Sequence, residues 1–260
     1  MKKPQTIMIT GATAGIGRAT AYLFARHGWN LIITGRREER LREVENEIKN
    51  LSEVKVISLA FDVRDKASVN NAIRSLPHDW KTIDVLLNNA GLAQGLSLIQ
   101  EGNMDDWETM IDTNIKGLLY VSREIMPLMI ENGSGHIINV GSIAGKEAYL
   151  KGNVYCSTKH FVDAISKSMR IDLLAHRIKV TAVHPGAVET EFSIVRFKGD
   201  EKRAKGAYMG YTPLTAEDIA EIIYFAAARP AHVVINDIVI TPLAQANTFY
   251  MVKDADIVKK

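Results

Sequence analysis

The sequence predicts a single doubly wound α/β domain spanning residues 1–260, built on a seven-stranded parallel sheet. Two observations carry this expectation. Short runs that are apolar throughout and rich in β-branched residues alternate with segments whose apolar residues recur every three to four positions. No Pro/Gly/Ser-rich linker, internal repeat or low-complexity tract divides the chain, and 260 residues lies near the upper limit for one hydrophobic core.

The first run, TIMIT at 6–10, precedes helical spacing over 15–28. NLIITG at 30–35 precedes 36–50, and KVISLAFD at 55–62 precedes 65–76. IDVLLNNAG at 83–91 leads into a long helical pattern over 104–131, and GHIINVGS at 135–142 into 154–176. IKVTAVHPG at 178–186 and DIVIT at 237–241 flank the last helical pattern, 215–228. A strand without polar alternation is one covered on both faces. Seven such strands alternating with six helices imply parallel pairing through right-handed crossovers. Residues 187–214 fit neither period, mixing charges, glycines and aromatics, and are expected to form a substrate lid.

Composition excludes several classes. Net charge is +2 with 24% charged residues, which gives no nucleic-acid footprint, although the pI is about 8.5. Cys156, the only cysteine, cannot form an intrachain disulfide and fits a reducing, cytoplasmic setting. The N-terminal stretch has two lysines, Lys2 and Lys3, but Gly11 and Gly15 interrupt its apolar run before signal-peptide length. No run approaches about 18 apolar residues, so no membrane span is expected. No metal-ligand set is predicted.

Motifs point to a dinucleotide. TGATAGIG at 10–17 follows the first strand and opens the first helix, with Gly11, Gly15 and Gly17 spaced GxxxGxG. Glycines admit a pyrophosphate close to the backbone, and a helix N-terminus presents N–H groups and partial positive charge to it. At the end of the second strand, where a carboxylate would select an unphosphorylated ribose, stand Arg36 and Arg37. Arginine's planar fork suits a 2′-phosphate, so NADP(H) is the expected cofactor; the alternative is a solvated helix start. Asp62 ends the third strand, placed to accept from an adenine amino group. NNAG at 88–91 ends the fourth, where Asn88 either faces the ligand or bonds a neighbouring strand.

YCSTK at 155–159 sets Tyr155 and Lys159 one helical turn apart on one face. A nearby ammonium lowers a phenol's pKa and suits it to exchange a proton with an alcohol or carbonyl oxygen. Alone the pair is as readily a surface feature. Ser142, at the end of its strand thirteen residues upstream, is placed to hold the same substrate oxygen. Asn114, in a helical stretch, is either a surface residue or the holder of a water linked to Lys159.

TGATAGIG, NNAG, Asn114, Ser142, YCSTK and HPG at 184–186 occur in the order and spacing of the classical short-chain dehydrogenases/reductases, and the sequence resembles that family over essentially its whole length. The resemblance implies a Rossmann-type fold and a tetrad of Asn114, Ser142, Tyr155 and Lys159. Tyr155 would be the general acid/base, Lys159 would lower its pKa and bind the nicotinamide ribose, Ser142 would polarise the substrate oxygen and Asn114 would anchor a proton-relay water. It further implies cofactor contacts from Gly11, Thr13, Gly15, Ile16 and Gly17, from Arg36, Arg37, Asp62 and Val63, and from Asn89, Ala90 and Gly91. Tyr155, Lys159, Pro185, Gly186, Val188 and Thr190 complete that set.

The ending INDIVITPLAQAN at 235–247 lacks the family's frequent DGG signature. With TEFSIVRFKGD at 190–200 and GNVYCSTKHFV at 152–162 it is similar to the NADP-dependent 3-hydroxy acid dehydrogenases, described as serine or allo-threonine dehydrogenases. A small acid needs a cation, and Arg196 in the lid is the expected carboxylate partner, the alternative being a solvated charge. Hydride transfer at the 3-position of a short 3-hydroxy acid is therefore expected, with serine, allo-threonine, 3-hydroxyisobutyrate, or malonic semialdehyde in reverse, as substrate. Reduction of 3-ketoacyl thioesters or other carbonyl compounds, and a non-catalytic NADPH-binding sensor or scaffold, are the alternatives. The family's habit implies a homotetramer through the helical faces at 104–131 and 154–176.

Overall fold

The computed structural model describes residues 4–256; Lys2 and Lys3 lie outside them. Strands β1 (Thr6–Ile9), β2 (Asn30–Gly35), β3 (Val56–Ala60), β4 (Val85–Asn88), β5 (Gly135–Val140), β6 (Ile178–Pro185) and β7 (Asp237–Ile240) form one parallel sheet in the order β3-β2-β1-β4-β5-β6-β7. The order reverses beside β1, between β1 and β4, so the crevice at their carboxyl ends is the place where such sheets bind ligands.

The sheet is a single Rossmann-like α/β domain because both its faces are apolar. Successive residues point to opposite faces. Ile7 and Ile9 pack with helices α1 (Gly15–Arg26) and α2 (Glu38–Leu51), through Phe24 and Val44 among others, while Met8 faces the other way. That second face is covered by α3 (Lys66–Arg74), then by the stretch 104–131, then by α6 (Asn153–Asp172), through Val69, Ile125 and Val162. The expected single helix over 104–131 is instead α4 (Met104–Ile111), a π-helical turn (Asp112–Gly117) and α5 (Leu118–Glu131). The extra residue of a π turn shifts the helix face, and the turn falls on Asn114.

Residues 187–214 are more ordered than their sequence suggests, holding two short helices, α7 (Phe192–Arg196) and α8 (Glu201–Gly206). Val188 and Leu214 form a parallel bridge that closes the segment at its base. The last α-helix among the described residues, α9 (Ala216–Ala227), begins with a capping box in which Thr215 Oγ accepts from Asp218 N at 3.2 Å and Asp218 accepts from Thr215 N at 2.8 Å. Among the described residues no helix is long and apolar enough to cross a membrane.

Candidate active site

The carboxyl edge of the sheet opens into a cleft of about 580 Å³, a size usual for cofactor and small-molecule sites. Its floor is the loop from β1 to α1. Gly11 (φ 69°) and Gly15 (φ 51°) adopt left-handed backbone, which glycine does without a Cβ penalty. Gly17, expected among the cofactor contacts, is buried beneath the cleft floor. A Cβ there would lie 2.4 Å from the Gly11 carbonyl oxygen, so its glycine lets loop and helix pack. Ala14 gives α1 no side-chain cap, whereas Asp65 caps α3 and Thr215 caps α9. No side chain therefore satisfies the first N–H groups of α1, and they suit an anion at the cleft floor. Thr13 and Ile16 flank them.

One end of the cleft is cationic. Arg36 Nη1 lies 3.6 Å from Asp62, and Arg37 Nη2 donates to Thr13 Oγ1 at 2.9 Å. Burial raises the Asp62 pKa, but hydrogen bonds from Arg64 and the charge of Arg36 outweigh it and hold the carboxyl below its usual range. Arg64 donates to Asp62 at 2.7 Å, so an adenine amino group would share a carboxylate already engaged. These residues fit a phosphorylated dinucleotide: an uncapped helix end for the pyrophosphate and two arginines at the far rim.

Val63, Asn89, Ala90 and Gly91 line the middle of the cleft. Asn89 Nδ2 donates to the carbonyls of Thr10 and Gly11 at 2.9 and 3.2 Å, stitching β4 to the glycine loop. Asn88 has the structural role: 5% exposed, it donates to Ser122 Oγ at 2.9 Å and Asn139 Oδ1 at 2.8 Å beneath the sheet edge.

At the other end, Ser142, Tyr155 and Lys159 converge. Ser142 begins a 3₁₀ turn and accepts from Ala144 N at 3.1 Å. Lys159, in the second turn of α6, is 6% exposed and donates to the Val140 carbonyl at 2.9 Å; burial pushes its pKa down to about 8. The Tyr155 phenol runs against the expectation that Lys159 lowers its pKa. Burial pushes it up, Tyr149 adds to the rise, and Ser142 and Arg196 only partly oppose it.

Asn114 does not line the cleft. Its Nδ2 donates to Leu92 O at 2.8 Å and Thr158 Oγ1 at 3.0 Å, and its Oδ1 accepts from Leu92 N at 2.9 Å. Both amide hydrogens are engaged, so the side chain ties the π turn to the loop after β4 and to α6. It retains one lone pair for the water that sequence assigned to it.

Pro185, Gly186, Val188 and Thr190 form the cleft's upper lip, and Thr190 packs on Gly15. From α7, Arg196 turns inward. Its guanidinium lies 5.5 Å over the Tyr149 ring and 5.6 Å over the Tyr155 ring, and Nη2 donates to Tyr149 Oη at 2.8 Å. Its Nε is buried without a hydrogen-bond partner, and among the described residues no carboxylate pairs with it. Tyr149, Glu191, Tyr208 and Gln245 also line the cleft and escaped sequence reasoning. Gln245, whose Oε1 accepts from Ala187 N at 2.9 Å, lies in a segment read only for its unusual ending.

Behind Ser142, buried His184 faces Asp163 and Asp237 at 3.6 and 3.5 Å, a grouping compact enough for a metal ion. The Lys146 ammonium already bridges both carboxylates, at 2.6 and 2.7 Å.

Comparison with known proteins gives the family and its near relatives. Residues 5–201 match the short chain dehydrogenase family. The NADP-dependent 3-hydroxy acid dehydrogenase YdfG of Salmonella typhi is 46% identical over 241 residues, covering 92% of this chain and 96% of its own. Sulfoacetaldehyde reductase 2 of Chromohalobacter salexigens is 45% identical over 241 residues, covering 92% and 95%. Among solved structures, the closed form of serine dehydrogenase complexed with NADP+ superposes with a TM-score of 0.90 at 43% identity, covering 95% of this chain and 99% of that one.

Proposed function

The chain belongs to the short chain dehydrogenase family, and from that premise we propose that it is an NADP-dependent oxidoreductase that exchanges hydride at the 3-position of a short 3-hydroxy acid. One observation carries the choice of substrate: Arg196, a cation inside the cleft with no acidic partner among the described residues, stacked on the ring of Tyr155. Arg196 is half-buried with its Nε shielded and unpartnered; a charge partly removed from water without a counter-charge is costly, and a substrate carboxylate would supply one while placing carbon 3 beside the phenol.

When bound, NADP(H) supplies or accepts the hydride. Tyr155 gives its phenolic proton to the carbonyl oxygen during reduction and takes the hydroxyl proton during oxidation. Burial raises its pKa, so the phenol carries its proton at neutral pH, the form that reduction uses. Ser142 donates to the same oxygen, Lys159 holds the ribose, and Asn114 braces the turn behind them. Arg36 and Arg37 hold the 2′-phosphate, the glycine loop takes the pyrophosphate, and Val188 and Thr190 meet the carboxamide. Residues 187–214 serve as a lid that carries Arg196 to the substrate. The names of the 46% relative and of the serine dehydrogenase structure support this reading.

A second reading has its own support. The 45% relative is named for sulfoacetaldehyde, whose sulfonate would meet Arg196 as a carboxylate does. We also infer a homotetramer in the cytoplasm; Leu119 and Ile130 on α5 and Ile171 on α6 stand exposed on the helices assigned to that contact.

The test is NADPH absorbance with L-serine, L-allo-threonine and 3-hydroxyisobutyrate in one direction, and malonic semialdehyde and sulfoacetaldehyde in the other, for wild type and Arg196→Ala. The variant is expected to raise KM for the acids at least about tenfold, equivalent to one charge-assisted hydrogen bond. Turnover of an uncharged aldehyde should change little. An unchanged KM for every acid overturns the assignment.

A further inference from the structure

Glu191 stands where the two halves of the cleft meet. It follows Thr190, which packs on Gly15, and precedes α7, which ends in Arg196. Its carboxylate crosses the mouth of the cleft to the opposite rim. Arg40 Nη1 donates to both of its oxygens, at 2.9 and 3.0 Å, and Arg37 Nη1 lies at 3.4 Å. Arg37 uses its other nitrogen on Thr13. The far end of α7 is held separately: the Arg196 carbonyl accepts from Gly95 N at 3.1 Å, and its guanidinium is on Tyr149.

We propose that Glu191 is a positioning residue that clasps the start of α7 across the bound dinucleotide, through Arg40 and Arg37, so that cofactor retention and the placement of the helix carrying Arg196 share a contact. This rests on the NADP reading above. The division of labour follows from placement. Arg36 and Arg37 follow β2 and would meet the phosphate, while Arg40, in the first turn of α2, takes most of the carboxylate and Arg37 is shared between the two. α7 begins at the residue after Glu191 and ends at Arg196, so the clasp and the substrate cation stand at opposite ends of one short helix. All three clasp side chains are close to half exposed. An ion pair of that kind is weak and screened by salt, which suits a contact that opens at each turnover.

The experiment measures release of NADPH by stopped-flow fluorescence from wild type, Glu191→Gln, Arg40→Gln and the double variant, at low and high salt, with steady-state KM for the acid substrate. Each single variant should release NADPH about threefold faster, consistent with a surface ion pair. The double variant should be no faster than either single one, and added salt, which screens the phosphate contacts in all of them, should speed release more from wild type than from the variants. Glu191→Gln should also raise KM for the acid more than it lowers kcat. Tighter NADPH binding in Glu191→Gln would mean that the carboxylate competes with the phosphate, and it overturns the clasp. Unchanged release in either variant overturns it as well, with the cofactor reading intact. A wild type that holds NADPH no better than NADH overturns the cofactor reading and the clasp with it.

Discussion

At the scale of single residues, the proposed site works against stability. Lys159 is buried without a carboxylate, and its pKa is pushed from an ordinary 10.5 down to about 8. The unfolded chain therefore binds more protons between those values. Stability rises with pH across that window, and below it the charged lysine costs on the order of 3 kcal/mol. Lys159→Met should accordingly melt higher than wild type at pH 7 and lose the wild type's gain in stability between pH 8 and 10.5, while abolishing turnover. Thermal melts across that range check it; a variant that melts lower at pH 7 would contradict it. The tyrosine–lysine spacing was legible because i and i+4 share a helix face. The direction of the Tyr155 shift was not, since burial of the phenol depends on Tyr149 and Arg196 arriving from elsewhere.

At the scale of elements, the alternation of apolar runs with helical spacing located all seven strands and the helices that cover them, because each buries a face set by its own period. The elements that build the substrate end were less legible. The π turn at Asp112–Gly117 interrupts what reads as one helix, and it is fixed by Asn114 bonding Leu92 and Thr158, contacts made only in the fold. Helices α7 and α8 are too short for a hydrophobic period to register. Asn114→Ala would leave the Leu92 backbone groups without their partners, at about 2–3 kcal/mol. The expected outcome is a lower Tm with a kcat that falls further than NADPH affinity, as the turn slips behind Tyr155. An unchanged Tm would show that the amide is not the brace.

At the scale of the whole molecule, the same burial that makes the sheet cohere makes it sensitive to acid. His136 on β5 is 2% exposed, and its Nε2 lies 2.7 Å from Thr181 Oγ1. Thr181 donates its own proton to the Ile235 carbonyl at 2.6 Å, so the imidazole must be the donor, and its Nδ1 is left buried without a partner. Burial pushes this pKa down to about 3, with Lys179 adding to the shift. Below the ordinary value of 6.5 the unfolded chain takes the proton first, and stability falls as pH drops from there toward 3. His136→Gln should flatten that slope in denaturant melts; an unchanged slope would assign acid sensitivity to other groups.

The most direct measurement is NADPH consumption with malonic semialdehyde by wild type and Tyr155→Phe, a substitution that removes one oxygen from the cleft. Turnover by wild type, no turnover by the variant and NADPH binding retained in both is the predicted result. Equal turnover by both would show that the phenol does not deliver the proton, and no turnover by a wild type that binds NADPH would remove the 3-hydroxy acid assignment.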